Sequence, residues 1–235
     1  FSGFVFKIQA NMNKAHRDRM AFVRICSGKF EKGMEVFHVQ GNKKMKLNQS
    51  KQLMAQDRET VEEAYAGDII GIFDPGVFSI GDTICLAKHK VQFDGIPTFA
   101  PEHFLRVRQK DSMKRKQFVK GIMQIAQEGA IQIFQEPQGG MDEVIVGAVG
   151  VLQFDVLEYR LKNEYGVDIL TTPLSYQFIR WIDNEGVDPH QYNLSSDTKI
   201  VQDLKGRYLL LFSNAWGINW ATQHNADLQL SEFSR

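Results

Sequence analysis

Basic side chains near the N-terminus are the residues of this sequence best suited to a chemical task. They occupy a turn, the strand that follows it and the next turn, and they are His16, Arg17, Arg19, Arg24, Lys29 and Lys32. Because adjacent hairpin turns of a small barrel lie side by side, we expect one positive patch. Arg donates two hydrogen bonds at once to a phosphate, so the predicted chemistry is recognition of a folded RNA by its shape. A solvated barrel face is the alternative interpretation.

A second basic block lies farther along the chain, between residues 106 and 120. It holds seven bases and one acid, and its candidate contacts are Arg106, Arg108, Lys110, Lys114 and Arg115. We rank it as the weaker RNA contact, because part of it must pack as a helix. The whole chain has 28 basic and 28 acidic residues, so the remaining sequence is acidic. A neutral chain with separated charges can bind an anion on one face and a different partner on another.

Motifs of catalysis are absent or stand in the wrong context. The dipeptide Gly28-Lys29 lacks the upstream glycine of a phosphate-binding loop, and residues 68–71 (DIIG), which match a short GTPase pattern, lie inside a predicted strand. The six histidines are isolated and the two cysteines lack metal-ligand spacing. We therefore expect no catalytic residue, no metal site and no cofactor in this chain. Residues 108–112 could imitate the anion loop of a small phosphatase, which leaves a hydrolase as a rival hypothesis.

Cysteine usage and hydropathy indicate the compartment. Cys26 and Cys85 lie in apolar, strand-like runs, which predicts two buried free thiols in a reducing cytoplasm. No apolar run approaches the ~18 residues of a membrane span, and no secretory signal is present. The chain begins at Phe1 inside a strand-like segment, so we expect a fragment of a cytoplasmic protein.

Short alternating apolar runs, separated by glycine turns, fill residues 1–87. The predicted strands are 4–10, 20–27, 34–40, 69–73 and 83–86. Several short strands without a helical period indicate a small antiparallel β-barrel, and closing the sheet also removes its exposed edges. Residues 88–101, which contain glycine and proline, form the predicted linker.

The hydrophobic period changes in the predicted second domain, residues 102–235. Strands are predicted at 104–108, 131–135, 143–149 and 167–172, and helices at 112–128 and 151–165. The order β-α-β-β-α-β is that of a ferredoxin-like α+β domain, in which two helices cover one face of an antiparallel sheet. The C-terminal extension from residue 174 contains a predicted strand at 208–212 and a predicted helix at 215–224. We expect it to extend or cover that sheet.

Several segments resemble translation factors. The segments that look like the second-domain barrel of translational GTPases, such as elongation factors Tu and G, are 19–28 (RMAFVRICSG), 66–71 (AGDIIG) and 80–84 (IGDTI). More specific segments resemble the bacterial peptide chain release factor 3 family, and they include 4–12 (FVFKIQANM) and 146–156 (VGAVGVLQFDV). The resemblance extends from Phe1 to about Trp181.

This resemblance implies a parent protein of three domains, with a GTPase domain ahead of a translation-factor β-barrel and an α+β domain. The implied function is to stimulate release and recycling of class I release factors from the ribosome in a GTP-dependent cycle. GTP or GDP and Mg²⁺ would bind the GTPase domain and not this chain. The implied partners are small-subunit rRNA at the barrel, a small-subunit protein at the last domain, the class I release factor indirectly, and the GTPase domain itself.

Carried over to this sequence, the resemblance makes the first basic cluster the main RNA contact and the second block an additional one. Residues 149–156 are expected to be core and the start of a helix rather than a contact site. Two rival hypotheses stay open at this point: a fragment of another ribosomal GTPase such as elongation factor G, and a stand-alone RNA- or protein-binding module.

Overall fold

A computed structural model describes residues 1–10, 19–47, 50–54, 57–96 and 98–233, with only the backbone of residues 50–54 and 57–60. The chain folds into two units, one comprising Phe1–Ile96 and the other most of the remaining sequence. Among the described residues, no helix is long and apolar enough to cross a membrane.

Antiparallel strands build the first unit. Those in the described residues are β1 (Ser2–Ala10), β2 (Arg19–Ser27), β3 (Lys29–Glu31), β4 (Glu35–His38), β5 (Lys43–Lys46), β6 (Ser50–Met54), β7 (Asp57–Thr60), β8 (Glu63–Tyr65), β9 (Ile69–Phe73) and β10 (Thr83–Cys85). Eight of them form one curled sheet in the order β5-β4-β10-β1-β2-β9-β6-β7, and β3 pairs with β8 separately. The prediction that this half is an antiparallel β architecture is confirmed.

The concave face of the curled sheet holds the core of the first unit. On β2, Ala21, Val23 and Ile25 are buried, and they join one cluster with Phe30 of β3 and Ile70 of β9. These three alternate residues share the core face of the strand, while Met20 and Phe22 on its other face are buried as well. Burial of each large apolar side chain contributes about 1.5–3 kcal/mol.

The prediction that both cysteines are buried is correct for Cys85 and wrong for Cys26. Cys26 stands two residues after the exposed Arg24 on β2, so both side chains point away from the core. The preceding Ile25 is apolar and buried, but Cys26 lies on the opposite face of the strand, and that face decides its exposure.

Five strands of the first unit were not predicted, and all five are short. One of them, β5, reads Lys-Lys-Met-Lys and has three exposed lysines. Such a strand exists because its backbone pairs with β4, Glu35 opposite Lys46 and Val36 opposite Met45. Its own side chains give no alternating apolar signal, so the sequence pattern could not reveal it.

The second unit begins with the predicted β-α-β-β-α-β order. Its elements are β11 (His103–Gln109), a 3₁₀ turn (Ser112–Lys114), α1 (Arg115–Gln127), β12 (Gln132–Gln135), β13 (Glu143–Ala148), α2 (Leu152–Tyr165) and β14 (Ile169–Leu174). These strands lie in the order β14-β11-β13-β12, and all their pairings are antiparallel. The α+β prediction is therefore confirmed, with element ends that differ by a few residues.

The C-terminal extension continues the same sheet. Its elements are β15 (Phe178–Ile182), β16 (Lys199–Asp203), β17 (Tyr208–Phe212), α3 (Ala215–His224) and β18 (Leu230–Ser231). Strand β16 pairs with β12, and the sheet continues from it in the order β16-β17-β15-β18. The complete sheet therefore has eight strands. The expected strand and helix of the extension are present, whereas β15 lies in a segment for which no strand was predicted.

Both faces of this sheet are buried, and β13 shows how. Val144 and Val146 pack with helices α1 and α2, while Ile145 between them packs with Ile179 and Trp181 of the extension. A strand covered on both faces needs apolar residues at every position, which β13 has. The extension therefore supplies the layer that covers the face of the sheet opposite to α1 and α2.

Candidate nucleic-acid interface

The lysines of the first basic cluster lie on the small β3–β8 ladder, where each meets an acid. Lys29 Nζ lies 2.7 Å from Glu63 Oε1 and 3.0 Å from Glu31 Oε1. Lys32 Nζ lies 2.7 Å from Glu62 Oε1. The hydrogen bond that Lys29 donates to Glu63 raises the pKa of this lysine and lowers the pKa of the Glu63 carboxyl. Lys29 is therefore held in its charged form, but with Glu31, Glu62 and Glu63 against Lys29 and Lys32 the ladder carries one more acid than base.

These ion pairs are exposed to solvent, which limits their strength. The side chains of Lys29 and Lys32 are 36% and 39% exposed, and those of their partners more so. Exposed pairs of this kind contribute little to stability, so a competing phosphate could exchange with the carboxylates. An anion can bind the lysines of the ladder only if it displaces the carboxylates of Glu31, Glu62 and Glu63.

The prediction that Arg19 belongs to the exposed basic patch is wrong, because its side chain is buried. Its guanidinium Nε lies 2.6 Å from Asp74 Oδ2, and its Nη2 donates to the carbonyl oxygen of Phe78. The other oxygen of Asp74 accepts backbone N–H groups of the loop that follows, at Gly76 and Val77. Arg19 thus holds a loop of the first unit in place and is not available to an RNA.

Arg24 is the member of the first cluster that is exposed without an ion pair among the described residues. It lies opposite Phe4 of β1 and Ile69 of β9, on the outer face of the sheet. His16 and Arg17 lie outside the described residues. The structure therefore brings Lys29 and Lys32 to one ladder, leaves Arg24 on a neighbouring strand, and removes Arg19 from the surface.

The second basic block divides into paired and unpaired residues. Arg106 lies 3.3 Å from a carboxylate oxygen of Glu143 and 3.6 Å from one of Glu136, and Arg115 pairs with Asp142. The unpaired bases within the part of the chain that the structure describes are Arg108, Lys110, Lys114, Lys116 and Lys120. We call these five residues the α1 block.

Lys116 and Lys120 of the α1 block were counted in the sequence but not selected as contacts. Their spacing of four residues places them on the same side of a helix, and both are exposed on α1. The absence of an acid at helical spacing was the signal that could have identified them.

The position of the α1 block opposes the helix dipole. Helix α1 begins at Arg115 and has no acid in its first turn, whereas Lys114 and Lys116 stand at its start. The N-terminus of a helix carries partial positive charge, so cations there cost about 0.3–1 kcal/mol each. A bound anion would interact favourably with both the dipole and the lysines. Among the described residues, the second basic block therefore contains more unpaired positive charge than the first cluster.

Residues 149–156 differ from the expectation that they form core. Val149, Val151 and Leu152 are 45%, 57% and 73% exposed, and Val156 is 49% exposed. Only Phe154 of this segment packs against the core, beside the buried Leu157 that follows. The segment does start helix α2, as predicted, but its apolar side chains face away from the sheet.

Other candidate chemistry has a structural explanation. The carboxylate of Asp68, in the short GTPase-like pattern, accepts a hydrogen bond from the backbone N–H of Tyr65 and closes a turn. Within the described ranges, no three His, Cys, Asp or Glu side chains are grouped as metal ligands.

Comparison with protein families gives two matches that together cover most of the chain. Residues 1–87 match the model of elongation factor G domain 2. Residues 93–222 match the model of the class II release factor RF3 C-terminal domain.

Curated relatives agree with these matches, and a solved structure shares the fold. The chain is 54% identical over 228 residues to peptide chain release factor 3 of Symbiobacterium thermophilum, covering 97% of this chain and 43% of that protein. It is 48% identical to that of Gloeobacter violaceus, covering 100% of this chain and 44% of that protein. A crystal structure of a protein from Thermus thermophilus superposes with a TM-score of 0.59 at 17% identity, over 86% of this chain and 30% of that one.

The chain thus spans less than half the length of the curated relatives that it matches. The solved structure supports the fold alone. The family model covers more than half of the chain and agrees with the names of these relatives, which sets elongation factor G aside as the source. This chain belongs to the peptide chain release factor 3 family, of which it carries a domain 2 module and the C-terminal domain.

Proposed function

We propose that this chain is the non-catalytic, ribosome-docking portion of a release factor 3. In this proposal the whole protein acts in the cytoplasm and stimulates release and recycling of class I release factors in a GTP-dependent cycle. A GTPase domain elsewhere in the protein binds GTP or GDP and Mg²⁺. Membership of the family supports the role in translation termination, and the absence of a catalytic motif in the sequence supports a docking role for this part.

The observation that carries the docking proposal is the α1 block. Its five bases make no ion pair within the described residues, and two of them, Lys114 and Lys116, stand at the positive end of helix α1. A folded RNA presents many phosphates on a shaped surface, so several such contacts can form at once. The proposed ligand of the α1 block is small-subunit rRNA.

The first unit contributes a second, weaker contact in this proposal. Arg24 is exposed, and Lys29 and Lys32 are held only by exposed ion pairs. Phosphates that approach this ladder must displace Glu62 and Glu63, so its contribution to affinity is smaller than that of the α1 block. A small-subunit protein, the class I release factor indirectly and the GTPase domain complete the proposed partners.

A salt titration of binding to protein-free small-subunit rRNA tests the proposal. Each phosphate contact contributes about 0.7–0.9 to the slope of log affinity against log salt. We expect the double variant Arg108→Gln, Lys116→Gln to bind more weakly at low salt, with a slope smaller by about 1.5.

The matched control is the double variant Lys88→Gln, Lys205→Gln. Both lysines are exposed, lie outside the two basic clusters and make no ion pair within the described residues. The control should retain the slope of the unmodified chain. Equal slopes for all three proteins would contradict RNA docking through the α1 block.

A further inference from the structure

Helix α2 is apolar on two sides, and only one of them is covered. Leu157 and Leu161 are 1% and 0% exposed and pack under the sheet. Leu152, Val156 and Tyr159, at spacings of four and three residues, are 73%, 49% and 68% exposed. Residues at these spacings form one row along a helix. The second row therefore lies on the outer side of α2.

The exposed row continues into the turn before the helix. Val149 and Val151 are also exposed, and with Leu152, Val156 and Tyr159 they form what we call the α2 stripe. An open groove lies at the N-terminal end of α2, and its walls include Val151, Phe154, Pro173 and Phe233. Surface helices of globular proteins are normally apolar on one side only, and contiguous exposed apolar surface marks interaction sites.

Acidic side chains border the α2 stripe. Asp155 and Glu158 are exposed on the same helix, and Glu102 is exposed beside the end of β13, where its N–H donates to the carbonyl of Ala148. None of these three carboxylates makes an ion pair among the residues that the structure describes. The bases nearest to the stripe on the same helix are already paired, Arg160 with Glu164 at 2.8 Å and Lys162 with Asp168 at 3.6 Å. The border of the stripe is therefore net negative.

The charge of the border decides between possible occupants. A nucleic acid would bring its phosphates against Asp155 and Glu158. A second copy of this chain, related by a twofold axis, would bring the same acids against each other. A protein segment with an apolar row and flanking Lys or Arg satisfies both the stripe and its border.

We propose that the α2 stripe docks a basic, amphipathic protein segment, with Leu152 and Tyr159 as its main anchors. The inference rests on the proposed ribosomal function for the source of that segment, a basic protein of the small subunit. It assigns the two oppositely charged surfaces of this domain to separate partners: the α1 block binds phosphates, and the acidic border binds a cationic protein.

Two probes separate this inference from the proposed function: intact small ribosomal subunits and the protein-free rRNA extracted from them. The double variant Leu152→Ala, Tyr159→Ala removes two exposed side chains, and circular dichroism confirms that it folds. We expect its affinity for intact subunits to fall by about tenfold or more, as for central interface residues. Its affinity for protein-free rRNA should stay unchanged.

Control variants show whether the position or the chemistry matters. Leu204→Ala removes a leucine that is 41% exposed and lies far along the chain from α2, and this variant should bind both probes normally. Asp155→Asn, Glu158→Gln keeps the stripe but neutralises its border. This variant should bind intact subunits more slowly and with less salt dependence, without a change on protein-free rRNA.

Each pattern of results has a distinct meaning. If the Leu152, Tyr159 variant binds intact subunits normally, the inference is overturned and RNA docking stands. If it loses affinity equally for both probes, the stripe is an RNA contact and the inference is again overturned. If the unmodified chain binds subunits but not protein-free rRNA, RNA docking fails, and the variant's loss on subunits still supports the stripe. Binding to neither probe overturns both.

Discussion

Lys29 and Arg108 are both basic residues near the surface, yet their surroundings differ. Lys29 contacts Glu31 and Glu63, whereas Arg108 makes no ion pair within the described residues. Arg19 is the extreme case, because its charge is buried and serves the fold. At the scale of single residues, the acids nearby determine which bases can meet a phosphate, and a count of positive charge along the sequence does not.

The buried ion pair between Arg19 and Asp74 leads to a prediction about the stability of the first unit. Asp74→Ala leaves the Arg19 guanidinium buried without a counter-charge and frees the backbone N–H groups of Gly76 and Val77. We expect the free energy of unfolding of the first unit to fall by about 3–5 kcal/mol, the cost of breaking a buried ion pair from one side. Urea denaturation monitored by a probe in that unit would measure it.

Arg24→Ala is the matched control for this prediction, since Arg24 is exposed on the same strand. Its effect should stay within about 0.5 kcal/mol. A similar small effect for Asp74→Ala would mean that the buried pair does not stabilise the loop.

At the scale of elements, α1 and α2 approach each other closely at one glycine. A Cβ atom placed on Gly121 would lie 2.7 Å from Leu161 Cδ2 and 2.8 Å from Tyr165 Cγ. Gly166, in the left-handed conformation at φ 67°, ends α2 and donates its N–H to the last turn. These two glycines set the contact and the length of the helices that carry the α1 block and the α2 stripe.

Gly121→Val is therefore expected to destabilise the second unit. The added methyl groups enter a packed helix interface, and overpacking of this kind costs about 1–3 kcal/mol. A lower urea midpoint in the far-ultraviolet signal would report it. Gly150→Ala is the control, because a Cβ atom there meets nothing within 4 Å. Equal midpoints for the two variants would contradict a close helix contact.

At the scale of the whole molecule, equal numbers of bases and acids conceal a division of charge. The chain has 28 of each, but the α1 block is positive and the border of the α2 stripe is negative. Net charge governs solubility and nonspecific attraction, whereas local charge governs which partner meets which face. A neutral protein of this kind can contact an RNA and a basic protein within one assembly.

A nucleotide titration tests the proposed lack of catalysis in this chain. We expect no saturable binding of a fluorescent GTP analogue in the presence of Mg²⁺, because the sequence has no phosphate-binding loop and Asp68 closes a turn. The full-length protein is the positive control. Stoichiometric, competable binding by the chain alone would contradict the proposal that nucleotide binds only a separate GTPase domain.

The amino-acid sequence alone determined the order of elements wherever apolar periodicity was strong. It predicted the ferredoxin-like order of β11 to β14 and the main strands of the first unit, because these segments bury large apolar faces. It also predicted the family, through segments such as 146–156. The short strands β3, β5 and β8 carry little apolar signal, so their pairing partners define them.

Only the tertiary structure decided which charges and apolar groups stay exposed. Glu62 and Glu63 reach Lys32 and Lys29 from about 30 residues away, because β8 pairs with β3. Asp74 pairs with Arg19 although 55 residues separate them along the chain. The row containing Leu152 has the same helical spacing as the buried row containing Leu157, and only the placement of α2 on the sheet distinguishes them. The exposure of a side chain depends on contacts between segments that are distant in sequence. A periodic pattern reflects only the local geometry of a single segment.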